Sequence, residues 1–461
     1  IVYLKKMTLI SSISGIRGTV NGTNQTSLTP IDVVRYVSAY GTWINTKKKS
    51  STVVVGRDGR ISGKSLLELV KSTLISLGIN VIDTGLSTTP TTQIIIKEKN
   101  ADGGIILTAS HNPKNWNALK LFNSKGEFII QNDAEEIFNL VKKDIFSFNS
   151  EDNYGQVFHE KDAFKIHINN VINLSLVNEK LIKNNSFKIV VDGINSSGGV
   201  IIPKLLEDLG AEVIKINCKP DGNFSHNPEP LDKNLYQLKD AVIAEKADLG
   251  IAVDPDVDRL VFVCDDGVLF GEENTIVACC DFVLSKTPGS TVSNMSSSMS
   301  LQIITNKYGC KYYSSKVGEV NVVEKMKEVK AVIGGEGNGG VIYPESHYGR
   351  DALVGIVLFL THLSELNIKA SDLLKLYPKF FMTKDKINLN DDFDYEGLKK
   401  KMKKYYNHQD IDERDGVKIK FEESWLHIRK SNTEPIIRIY TEAKSESDCN
   451  KIIDDFKALI T

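Results

Sequence analysis

Val53-Val54-Val55-Gly56-Arg57-Asp58 is a β-branched run that ends in glycine and arginine before an aspartate, with helix-like sequence beyond it. Branching at Cβ restricts the side-chain rotamers and suits a pleated surface, so the run predicts a strand. Ile189-Val190-Val191-Asp192-Gly193 repeats the pattern and suggests a repeated α/β unit. Strand-like runs at 51–56, 79–83, 103–107, 188–191, 212–216, 249–253 and 331–333 alternate with helix-like segments. Such alternation predicts α/β layers.

At 461 residues the chain exceeds what one hydrophobic core serves, and about 150 residues per domain gives about three domains or four. Polar, irregular sequence at 149–155 marks a first boundary, 263–267 a second, and the change of texture after Tyr377-Pro378 a third. The expected domains are therefore 1–155, 156–264, 265–378 and 379–461. Beyond 378 the chain reads as lysine-rich and strand-poor through Lys404. It then shows strands near 425–429 and 436–440 and an amphipathic helix over 446–460, a smaller α+β domain.

With 57 basic residues against 59 acidic ones, the net charge of -2 offers no footprint for nucleic acid, and the expected partner is a small molecule. The longest apolar run, 352–360, falls short of the roughly 20 residues of a membrane helix. Ile1-Val2-Tyr3-Leu4-Lys5-Lys6 has no signal-peptide pattern, so a cytoplasmic location is expected. The six cysteines form no CxxC pair and read as reduced core residues.

Four segments carry chemistry. In Thr108-Ala109-Ser110-His111-Asn112-Pro113 a serine follows the apolar run 104–107 and precedes a proline, which predicts an exposed hydroxyl held on a shaped loop. In Asp254-Pro255-Asp256-Val257-Asp258-Arg259, three alternating carboxylates follow a strand, and an oxygen-only donor set suits Mg2+. An EF-hand would need glycine where Arg259 stands. A phosphatase using Asp254 as nucleophile fits the D-x-D start but not Asp258. Gly335-Glu336-Gly337-Asn338-Gly339-Gly340 satisfies a dinucleotide fingerprint, yet Val341-Ile342-Tyr343-Pro344 opens no helix. Glu336 and Asn338 instead read as partners for the hydroxyls of a sugar-like ligand. Arg429-Lys430-Ser431-Asn432-Thr433-Glu434-Pro435 has the composition of a phosphate clamp. Gly59-Arg60-Ile61-Ser62-Gly63-Lys64-Ser65 is one residue short of an ATP-binding loop and is set aside.

In this order the four segments closely resemble the phosphohexomutase superfamily: phosphoglucomutase, phosphomannomutase and phosphoglucosamine mutase. The resemblance implies four domains around a central cleft, three of related mixed α/β type and a smaller carboxy-terminal α+β one. It implies that Ser110 carries a phosphoryl group, and that Ser110, Asp254, Asp256 and Asp258 bind Mg2+. Glu336 and Asn338 would grip sugar hydroxyls, and Arg429, Ser431, Asn432 and Thr433 the distal phosphate of a phosphosugar. Arg17, in Ser14-Gly15-Ile16-Arg17-Gly18, together with His111, Lys120 and Arg259, would flank the transfer, with a sugar 1,6-bisphosphate as activator. Lys120 is the candidate acid/base group, which requires a lowered pKa. Where many bacterial members have histidine after the sugar loop, this chain has Gly340, and His347 could serve instead. His226-Asn227-Pro228-Glu229-Pro230 also resembles a family segment, without an assigned role. The expected reaction interconverts glucosamine 6-phosphate and glucosamine 1-phosphate, with glucose or mannose phosphates as the alternative.

Overall fold

The computed structural model describes residues 7–48, 50–389, 393–430 and 436–459. Four sheets organise the chain. The first holds seven strands: β1 (Ile10–Ser12), β2 (Gly15–Thr19), β3 (Thr52–Arg57), β4 (Asn80–Leu86), β5 (Gly103–Leu107), β6 (Trp116–Asn123) and β7 (Val157–His159), in the order β1-β2-β6-β5-β3-β4-β7. Its centre, β5-β3-β4, is parallel, and β6 turns back antiparallel against β5. This sheet reaches past residue 155, because β7 pairs with β4 at Val81 to Asp83.

The second sheet comprises β8 (Lys188–Asp192), β9 (Glu212–Ile216), β10 (Leu249–Val253) and β11 (Leu260–Cys264), ordered β11-β10-β8-β9. The third comprises β12 (Thr291–Asn294), β13 (Tyr312–Ser315), β14 (Ile333–Glu336) and β15 (Gly340–Ile342), ordered β13-β12-β14-β15. Both are parallel with one antiparallel edge strand. The fourth is wholly antiparallel: β16 (Phe381–Asn388), β17 (Asp410–Asp412), β18 (Val417–Lys420), β19 (Trp425–Lys430) and β20 (Ile436–Ala443), ordered β16-β20-β19-β18-β17. The helix Glu446–Ala458 packs on it. The α/β class with a smaller C-terminal α+β domain is therefore what the chain adopts.

Six of the seven expected strand runs coincide with β3, β4, β5, β8, β9 and β10, and the seventh, 331–333, meets β14 only at Ile333. The expectation of a strand-poor region after 378 is corrected by β16, an edge strand whose alternating charged residues hid it. One apolar cluster spans the second and third sheets, running from Ile189 and Ile251 through the helices Glu272–Lys286 and Ala352–Leu366 to Ile333. Each fully buried Leu, Ile or Phe side chain there contributes roughly 1.5–3 kcal/mol. Separate clusters serve the first and fourth sheets. Among the described residues no helix is long and apolar enough to cross a membrane.

The loop carrying Ser110 leaves the carboxyl end of β5, the aspartate loop leaves that of β10, and Glu336 closes β14. Open α/β sheets place their ligands outside these strand ends.

Candidate active site

The serine loop is tightly held. Ser110 has φ 47°, a left-handed conformation, and its N–H donates to Thr108 Oγ1 at 2.9 Å. Thr108 Oγ1 in turn donates to Asp58 Oδ2 at 2.7 Å. Arg60, fully buried, pairs with Asp58 through Nε at 3.1 Å. Its Nη2 donates to the carbonyls of Ser110 at 2.6 Å and Asn112 at 2.7 Å, and its Nη1 to those of Pro113 at 2.7 Å and Trp116 at 2.9 Å. The segment set aside as a failed ATP loop thus shapes the serine loop from outside it. The expectation of an exposed hydroxyl is corrected: Ser110 is only 7% exposed, because the loop is pressed against the second sheet's aspartates.

Ser110 Oγ donates to Asp254 Oδ2 at 2.6 Å and lies 3.3 Å from His111 Nδ1. Asp254, Asp256 and Asp258 are all fully buried, and one oxygen from each lies within 4.8 Å of the others. Val257 between Asp256 and Asp258 has φ 63°, a strained conformation for a β-branched residue. Burial together with Asp258 and Asp256 holds the Asp254 carboxyl well above its ordinary pKa. Burial also raises that of Asp258, but Arg350, Lys120 and Arg259 more than offset it, and the group stays ionised. Asp256 Oδ1 and Asp258 Oδ1 are buried with no hydrogen-bond partner. A set of close carboxylate oxygens with two unpartnered members fits a hard divalent cation such as Mg2+.

Lys120 Nζ sits 2.6 Å from Asp256 Oδ2 and 3.2 Å from Asp258 Oδ2. Burial lowers its pKa, yet the two carboxylates outweigh burial and the net shift is upward. The expected lowered pKa is therefore corrected, and Lys120 is an ammonium at neutral pH.

A cavity of about 220 Å³ opens over Ser110 and is lined by Arg17, His111, Lys120, Arg259, Glu336 and Asn338 among others. It brings together residues from the first three sheets. Arg17 Nε and Arg259 Nε are buried without partners, two guanidinium donors available to an anion. Arg259 is braced by Glu229 at 3.3 Å, which gives the 226–230 segment a role. Burial and Arg259 lower the His111 pKa well below its ordinary value, so its imidazole is neutral. A larger hollow of about 740 Å³ on the C-terminal domain, beside Tyr405 and Lys451, lies away from the serine and the aspartates.

His347 does not enter the cavity. It is buried with Nε2 3.1 Å from Asp351 Oδ2, and Asp351 also holds His167 Nε2 at 2.8 Å, so His347 cannot substitute for the histidine absent at Gly340. Arg429 lies on β19 beside Asp415, outside the cavity lining. Ser431, Asn432 and Thr433 lie outside the described residues. Residues the motifs did not single out, Glu319 and Arg350, line the cavity instead. Each stands in an ordinary loop or helix start, and only the fold reveals them.

The alpha/beta/alpha domains I, II and III of phosphoglucomutase/phosphomannomutase match residues 10–147, 165–267 and 272–380, and that family's C-terminal domain matches 386–459. The chain belongs to this family. The family member is 34% identical to a phosphoglucomutase/phosphomannomutase of Thermococcus kodakarensis, over 95% of this chain and 96% of the relative. It is 33% identical to a phosphoglucosamine/phosphogalactosamine mutase of Sulfurisphaera tokodaii, over 97% and 98%. The fold also matches the crystal structure of a phosphoglucomutase/phosphomannomutase family protein from Burkholderia thailandensis, with TM-score 0.85, 24% identity and coverage of 100% and 98%. As a member of this family, the protein is a phosphosugar mutase and hence an isomerase.

Proposed function

We propose that this mutase interconverts glucosamine 6-phosphate and glucosamine 1-phosphate through a phosphoryl group carried on Ser110. The observation that carries the reading is Ser110 Oγ, 2.6 Å from Asp254 and beside a cavity with two buried guanidinium donors. In the forward half, the Ser110 O–P bond breaks as a sugar hydroxyl oxygen bonds to phosphorus; Lys120 protonates the departing Ser110 Oγ and is reprotonated by the proton the hydroxyl releases, leaving a bisphosphate and a free Ser110 hydroxyl. After the bisphosphate reorients, Ser110 Oγ attacks its other phosphorus, its proton leaves, and the sugar hydroxyl is restored. Mg2+ held by Asp254, Asp256 and Asp258 would supply charge to stabilise the transferring phosphoryl oxygens. Arg17 and Arg259 would orient those oxygens, and the Lys120 ammonium would deliver a proton to the departing oxygen. Glu336 and Asn338 would hold the sugar hydroxyls, and Arg429 with Ser431, Asn432 and Thr433 the distal phosphate. A sugar 1,6-bisphosphate would load Ser110.

The sugar assignment rests on the loops at 14–18 and 431–438. A second reading, glucose or mannose phosphate as substrate, is favoured by the 34% identity to the Thermococcus kodakarensis relative. The test compares turnover of glucosamine, glucose and mannose 1-phosphates with Mg2+ and a catalytic amount of sugar bisphosphate. Highest kcat/KM on glucosamine 1-phosphate is expected, and S110A should lose on the order of 10³-fold or more while staying folded. Faster turnover of a glucose or mannose phosphate selects the second reading. Full activity of S110A would remove the phosphoserine route.

A further inference from the structure

A methyl group on Gly340 would stand 2.3 Å from Arg350 Cδ, so the side chain of Arg350 crosses the cleft wall only because position 340 carries none. Arg350 is only 8% exposed, and beyond that point its guanidinium meets three carboxylates from three separate segments. Nη2 donates to Asp258 Oδ2 at 2.8 Å, Nη1 to Glu336 Oε2 at 2.9 Å, and Nε to Glu319 Oε2 at 3.0 Å. Nη1 also lies 3.4 Å from Asn338 Oδ1, and the Arg350 N–H donates to Glu319 Oε1 at 3.1 Å. Glu336 Oε1 is held separately by Asn294 Nδ2 at 2.8 Å and the Gly318 N–H at 3.2 Å. Only a planar fork of donors spans such a set; a lysine ammonium would reach part of it.

We infer that Arg350 is a positioning and specificity-determining residue. It fixes Glu336 and Asn338 in register with Asp258, so that the hydroxyl pattern of the sugar is read at a set distance from the transferring phosphoryl group. This rests on the sugar-loop roles proposed above.

Three variants test it: R350K keeps the charge, G340A pushes Arg350 aside without removing any charge, and E319Q loosens it from the side away from Glu336. Activity on glucosamine, glucose, mannose and galactose 1-phosphates is measured with thermal melts and with labelling of Ser110 by a sugar bisphosphate. Losing one hydrogen bond between a charged group and a sugar hydroxyl changes discrimination by about 10–100-fold. R350K and G340A are therefore expected to narrow the kcat/KM ratio between the preferred sugar and its epimers at least about tenfold, E319Q by less, with Ser110 labelling retained. An unchanged ratio in folded variants overturns the inference, as does failure of all three to fold, which makes the contact a stabilising one only. Absence of activity on every sugar in the unsubstituted protein counts against the proposed function instead.

Discussion

Arg60 shows what one side chain does here. Four carbonyls and Asp58 surround its guanidinium, and three of those carbonyls, of Ser110, Asn112 and Pro113, belong to the serine loop itself. Methionine at this position would leave Asp58 buried and uncompensated. R60M is expected to cost about 3–5 kcal/mol of stability, with urea unfolding as the measurement, and to lower kcat through displacement of Ser110. R60K should recover part of the stability and little of the rate, because an ammonium cannot bridge the loop. The sequence identified Ser110, Asp254, Asp256 and Asp258 because local motifs contain them. It passed over Arg60 because the partners lie about fifty residues away and belong to another motif.

The helix Ala352–Leu366 is buried nearly all round and begins at Asp351, whose Oδ1 accepts from Leu353 N–H at 2.8 Å. Asp351 Oδ2 also accepts His167 from the helix Ala163–Ile172 and His347 from the preceding loop. Burial raises the Asp351 pKa, but His167 and His347 outweigh it and keep the carboxyl ionised. One residue thus caps a helix and ties the second sheet's flanking helix to the third. D351A is expected to lose the cap and strand two buried imidazoles, destabilising by about 3 kcal/mol in denaturant melts, and D351N by less. The apolar run at 352–360 was legible as a buried element; its ties to His167 were not, since they cross 184 residues. At β16 the alternating lysines and aspartate read as solvent-facing sequence, although the backbone there pairs with β20 along eight residues.

Across the whole molecule, the fourth sheet is joined to the third through His427. Its Nε2–H donates to the Asp415 carbonyl at 2.6 Å, and its Nδ1 accepts from Ser296 Oγ at 2.8 Å, the assignment those partners require. Burial pushes its pKa down to about 4; the Asp415 carbonyl opposes this shift, and the Lys418 ammonium adds to it. A depressed folded pKa means that the unfolded chain binds the extra proton first. The stabilisation is therefore complete above the ordinary imidazole value of about 6.5 and lost as pH falls toward 4. The unfolding free energy is expected to drop over that window, with a slope approaching about 1.4 kcal/mol per pH unit in urea titrations, and H427Q should flatten the slope. A slope unchanged in H427Q would assign the pH response to other groups.

Valine and isoleucine runs with their turn residues dictated the α/β layers, and four short loops carried the carboxylates, hydroxyls and cations of the family's chemistry. Those features are local, so sequence alone determined them. The fold alone decided that Ser110 is buried against Asp254, that Lys120 is a paired ammonium, that His347 faces Asp351 rather than the cleft, and that Arg350 passes through the gap at Gly340. Each of these is a contact between distant segments, and its energy depends on burial and on charges that no single stretch of sequence contains.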